Sequence, residues 1–200
     1  MSISRQYRAD SMFKRPRIKR RIFTDIMTGT YKYLDRNSYA QVFSKNYLFT
    51  AAYPMEKKSL SDQGLREFIG DFGVMDRLVC NRSKEHTSKG TDFMKEVQKH
   101  RIDLHVTYSD IHNQSNVEGV IIEMCKEWLR VMLRKKVPQR LWDYGHKWMA
   151  EIMQRTASSL GSLHYRTSLE EMTGGTHYIL EYLDIAFYYW CWYSDNDGLE

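Results

Sequence analysis

Two hundred residues, 42% hydrophobic and 28% charged, suit one globular domain with an ordinary core and a short appendage, and exclude two large independent domains. The net charge of +5 is local: Arg5, Arg8, Lys14, Arg15, Arg17, Lys19, Arg20 and Arg21 face a lone Asp10 before Phe23, and the remaining 22 basic and 24 acidic residues leave the rest at −2. No apolar run approaches membrane-spanning length and the N-terminus has no hydrophobic signal core, so the expectation is a soluble protein.

The basic block over 1–21 reads as a solvated tail, a phosphate-binding arm or a nuclear address, and these readings are compatible. After it, "RIFTDIM" alternates and is β-branched or aromatic enough for a strand, and "SYAQVFSKNYLFTAAYPM" reads as two more with a turn at "SKN". In "SLSDQGLREFIGDFG", Leu65, Phe68, Ile69 and Phe72 share one helical face, with Ser59 or Ser61 as cap and Gly73 as stop. "DRLVCN" supplies a fourth strand, "TDFMKEVQKHRI" a second helix and "IDLHVTYS" a fifth strand. A long helix follows from about Asn116 to Lys136, apolar at Val117, Ile121, Met124, Trp128 and Met132, and another begins at Pro138. Strands separated by helices pair in parallel through right-handed crossovers and hairpin-linked strands pair antiparallel, so the sheet is mixed. The nearly all-aromatic Phe187 to Tyr193 reads as a strand of a small C-terminal β extension, a packing surface before a base-stacking platform. The expected organisation is a basic segment over 1–21, a core over 22–157 and an extension over 158–200.

Cys80, Cys125 and Cys191 are isolated and the seven histidines are scattered; neither a disulfide framework nor a zinc site is supported, and a reducing, intracellular compartment follows. Three antiparallel strands and then α, β, α, β, α is the order of the ribonuclease H-like fold. Asp25 lies on the first strand, Asn81 just past the fourth and Glu118 at the start of the long helix, with 118 − 81 − 1 = 36 residues between the last two. This resembles the D,D-35-E pattern of retroviral and retrotransposon integrases. "FTDIM", "REFIGDFGVMDRLVCN" and "NQSNVEGVI" around the three positions, with "PQRLWDYGHKWMAEIMQRT", "YRTSLEEMTGGT" and "EYLDIAFYYWCWYSDNDGL" further on, resemble integrases of copia-type retrotransposons. The resemblance runs from Phe13 onward and lacks the family's zinc-binding HHCC segment and the reverse transcriptase that would follow, so a polyprotein fragment is expected.

The resemblance implies an α/β ribonuclease H-like fold, a mixed five-stranded sheet with flanking helices, and DNA integration by strand transfer with Mg²⁺ or Mn²⁺. Asp25 would bridge two ions, Glu118 would hold one, and Asn81 would stand where the second acid belongs. An amide brings no charge to a hard cation that favours anionic oxygen, so ion binding and activity are expected to be weak or absent. Arg82 and Ser83 replace small turn residues, and "YSDIHNQSNVEG" lacks the prolines usual in the family. Each residue also has a structural explanation: Ser115 and Glu118 fit a capping box, Asn81 is an ordinary strand-exit residue, and Glu85 and Asp92 are nearby acids not at a strand end. Asp25 shares a strand face with Phe23 and Met27, an odd place for a merely solvated acid.

DNA contact is expected from Arg15, Arg17, Lys19, Arg20 and Arg21, and from Arg130, Arg134, Lys135 and Lys136 around the end of the long helix. The alternative is a non-enzymatic nucleic-acid-binding or assembly module on the same scaffold. The expected partners are DNA and further copies of the chain, in the nucleus or a virus-like particle, with no membrane.

Overall fold

The computed structural model describes residues 17–29, 36–45, 49–107, 116–157, 163, 165–175 and 188. Within them, strands β1 (Ile18–Thr28), β2 (Tyr39–Lys45) and β3 (Phe49–Met55) form the expected antiparallel meander. β4 (Met75–Asn81) and β5 (Asp103–Thr107) join in parallel on the other side of β1, giving the order β3-β2-β1-β4-β5. The helices are α1 (Ser61–Phe72), α2 (Lys84–Thr87), α3 (Asp92–Lys99), α4 (Asn116–Lys135), α5 (Trp142–Arg155) and α6 (Ser168–Thr173).

The sheet carries one apolar layer on each face. α1 and α3 cover Ile22, Phe43, Phe49 and Leu78 with Leu65, Phe68, Phe93 and Val97. Phe68 is fully buried, with ring centroids 4.6 Å from Phe43 and 5.2 Å from Phe72. α4 and α5 cover the opposite face, where Met27, Val42 and Ala52 meet Val117, Met124, Trp128, Trp142 and Met149. The two helices approach closely at Gly145, where a Cβ would lie 2.3 Å from the Trp128 ring, so any larger residue forces them apart.

Three details depart from the sequence reading. Neither Ser59 nor Ser61 caps α1: Leu60 holds the N-cap position without a side-chain bond. The chain arrives through the 3₁₀ turn Lys58–Leu60, whose Leu60 N–H donates to Lys57 O at 3.0 Å, and that turn replaces a hydroxyl cap. The stop at Gly73 holds: its φ of 100° is open to glycine, and its N–H donates to Ile69 O.

The short helix α2 after β4 was not expected, nor was α6 in the segment read as a β extension. α6 opens on a full capping box between Thr167 and Glu170. It is fastened to the core: Leu169 is buried there, Ser168 Oγ bonds Gln154 O, and Glu171 pairs with the buried Lys45 at 2.7 Å and with Arg20. The aromatic run over 187–193 lies outside the described residues except for Tyr188, which is exposed.

Candidate functional site

Parallel pairing of β1 and β4 builds the site. Thr24 is in register with Cys80, so Asp25 and Asn81, each one residue further on, emerge side by side near the carboxyl ends of neighbouring strands. Asn81 Nδ2 donates to Asp25 Oδ1 at 2.6 Å, and the Ile26 N–H donates to the same oxygen at 2.7 Å. Glu118 stands exposed in the first turn of α4, close enough for its charge to act on Asp25. Asp25 and Asn81 are thus in direct contact, and Glu118 lies within range of the Asp25 charge. Ser115, the proposed capping partner of Glu118, lies outside the described residues.

Burial pushes the Asp25 carboxyl upward from its usual range, and the negative Glu118 adds to this; the hydrogen bonds from Ile26 and Asn81 and the charge of Lys58 oppose it. Lys58 was missed by sequence reasoning. It comes from the 3₁₀ turn after β3, where no periodicity marks a residue as facing a site, and its ammonium also lies over the Tyr39 ring. Burial, and then the Asp25 charge, push the neighbouring Cys80 thiol up to about 12, leaving it an inert core residue.

The donor set does not fit a two-ion centre. Asn81 turns an N–H toward Asp25 while its Oδ1 is buried with no hydrogen-bond partner. In this orientation an N–H, and not an oxygen, faces the Asp25 carboxylate. What remains for a hard ion is the pair Asp25 and Glu118, and among the described residues no three His, Cys, Asp or Glu side chains cluster as a metal site. Neither alternative acid fills the gap: Asp92 is exposed and paired with Lys95, and Glu85 belongs to α2 beyond the strand end.

The basic residues divide into two sets. Arg17 is a structural clamp, bonded to the Asp76 carboxylate at 2.7 Å and to the carbonyls of Met75, His100 and Arg101. Arg20 pairs with Glu171 and Arg130 with Glu127. Lys19 and Arg21 on β1, and Arg134, Lys135 and Lys136 at the end of α4, are exposed; Arg15 lies outside the described residues.

This is the fold of retroviral integrase catalytic cores, a ribonuclease H-like α/β architecture. The chain is similar to the HTLV-2 integrase catalytic core domain solved with magnesium, with TM-score 0.56 and 11% identity over 80% of this chain and 99% of that one. It is similar to the BIV integrase catalytic core at TM-score 0.54 and 13% identity, over 76% and 92% of the two chains. A chain of a simian T-cell lymphotropic virus intasome, solved with a PP2A regulatory subunit, matches at TM-score 0.57 and 13% identity over 80% of this chain, which spans only 56% of that chain's length. No protein-family profile matches the sequence. No curated protein matches it either.

Proposed function

We propose that this chain is an integrase-type polynucleotidyl transferase domain of copia-type retrotransposon origin that binds DNA while its strand-transfer centre is impaired. The observation that carries the reading is the Asn81 to Asp25 hydrogen bond at the strand ends where integrase cores hold paired acids. The fold supports the first half of the proposal and the neutral amide the second. Oligomer formation belongs to the same reading, since the HTLV-2 core is described in dimeric and trimeric forms. Exposed Lys19, Arg21, Arg134 and Lys136 would contact phosphates, which requires no metal ion. Arg17, Arg20 and Arg130 already hold carboxylates and contribute less.

The test is Mn²⁺ affinity in three proteins: this chain, Asn81→Asp, and Asn81→Asp with Asp25→Ala. The first binds weakly, the second more tightly because a second anionic oxygen faces the ion, and the third returns to weak binding. Equal affinity in the first two removes position 81 from any metal site and leaves the non-enzymatic nucleic-acid-binding module as the reading. For DNA, deleting residues 1–16, which spares the Arg17 clamp, should flatten the fall of duplex affinity with salt. An unchanged slope would take that segment out of the interface.

A further inference from the structure

The face of the sheet that carries Asp25 also carries a second group of ligand-type atoms, deeper between the helices. Met27 is the next residue of β1 on that face, and Cys125 lies two turns along α4 from Glu118, about 10.5 Å at 1.5 Å per residue. The Cys125 Sγ lies 3.5 Å from Met27 Sδ and 3.4 Å from His146 Nε2 on α5. His146 is 94% buried and its other nitrogen, Nδ1, lies 2.7 Å from the Trp142 carbonyl oxygen. A carbonyl only accepts, so the Nδ1 hydrogen donates to it; the neutral ring then presents its Nε2 lone pair to the sulfur. This is how proteins orient a metal-binding imidazole, with the second nitrogen tied to a backbone carbonyl.

We propose that Met27, Cys125 and His146 form a site for a soft monovalent metal ion, Cu(I), held by thioether, thiolate and imidazole. Thiolate and thioether select Cu(I) among biological metals, and imidazole suits copper as well. The spacing agrees. With bonds of about 2.3 Å to sulfur and 2.0–2.1 Å to nitrogen, two ligands of one ion at angles of roughly 100–120° lie about 3.3–4.0 Å apart, which brackets both measured separations. One S–H can point at only one of the two neighbours, whereas a shared ion would hold all three groups at once. Binding converts the Cys125 thiol to thiolate and releases one proton to solvent, with no change of oxidation state at any atom. The surrounding Trp128, Trp142 and Met124 form an apolar shell around the cluster. Zinc is disfavoured because it takes four N, S or O ligands and this set offers three, one of them a thioether.

The experiment is anaerobic titration of the full chain with Cu(I) delivered as its bicinchoninate complex, whose colour reports transfer to the protein. The chain should withdraw one equivalent that Cys125→Ser no longer withdraws, whereas Cys80→Ser still does. Met27→Leu, a volume-conserving exchange, should weaken that equivalent by more than the roughly 10–100-fold typical of second-shell changes. Circular dichroism checks that each variant is folded. If Cys125→Ser does not fold, Met27→Leu alone decides. Unchanged affinity in Met27→Leu, or an equivalent retained in folded Cys125→Ser, overturns the proposal.

Discussion

The two faces of the sheet are built from different materials. Beneath α1 and α3 lie mainly hydrocarbon and phenyl groups, Ile22, Phe43, Phe49, Leu65, Phe68, Leu78 and Phe93, with Tyr53, Met75 and the buried His86 as the exceptions. Beneath α4 and α5 the layer is richer in sulfur, indole and ionisable groups: Met27, Met124, Met149, Trp128, Trp142, Cys125, His146 and, at its rim, Asp25. Interiors are packed to crystal density, so substitutions in a stiff aromatic layer are felt as lost volume. A layer with methionines and a polar rim can change its chemistry at the rim with little loss of fold. The contrast explains how an amide can sit beside the Asp25 carboxylate without disturbing the scaffold.

The largest test of that contrast is Phe68→Ala. Removing the ring at the centre of the Phe43, Phe49, Phe72 and Tyr53 cluster should cost about 3–5 kcal/mol of unfolding free energy, read by urea denaturation. A loss below 1 kcal/mol would mean that the two layers are equally pliable.

Next is the pH response of His86, which is fully buried against Phe93 with neither ring nitrogen hydrogen-bonded. Burial lowers its pKa from 6.5 to about 4. Above pH 6.5 it is neutral in both states; between 6.5 and 4 only the unfolded chain takes up the proton, so stability falls as pH drops. At 1.36 kcal/mol per unit the loss approaches about 3 kcal/mol by pH 4. In His86→Phe that part of the slope should vanish, and an unchanged slope assigns the effect to another group.

On the second face, Gly145→Ala should cost about 1–3 kcal/mol through overpacking against Trp128, with a change in near-ultraviolet circular dichroism from the displaced indole. A neutral result would show that α4 and α5 slide apart freely.

The smallest effect is at the rim. Asp25 has a raised pKa, so its contribution is favourable at low pH and is lost as pH rises through the folded-state value. Asp25→Asn should therefore raise the melting temperature slightly at pH 7 and leave it unchanged at pH 3. A fall at pH 7 would show that the carboxylate stabilises the fold.

Local patterns made most of the architecture legible. Alternation located the strands, the Leu65, Phe68, Ile69 and Phe72 spacing located α1, and element order gave the sheet. The Asp25 and Asn81 contact follows from the parallel register of β1 and β4, which the element order already implied, and Glu118 opens the long helix where the sequence reading put it. What escaped depends on contacts distant in sequence or on elements too short for a period to appear. α2 has four residues and α6 six. Arg17 reads as one more positive charge in a basic run, yet its partners are 58 to 84 residues away. Cys125 and His146 belong to separate helices, and no spacing rule joins them to Met27.

The Arg17 clamp has a topological consequence. Its guanidinium gathers carbonyls from the start of β4 and from the turn between α3 and β5 onto the leading end of β1. One side chain thereby closes a loop of more than eighty residues at the margin where a strand would otherwise fray. Threading another chain's β1 into this sheet, as in a strand-exchanged dimer, requires that clasp to open first. Because an exchanged β1 would carry its own Arg17, the clamp slows the exchange of strands without favouring either end state.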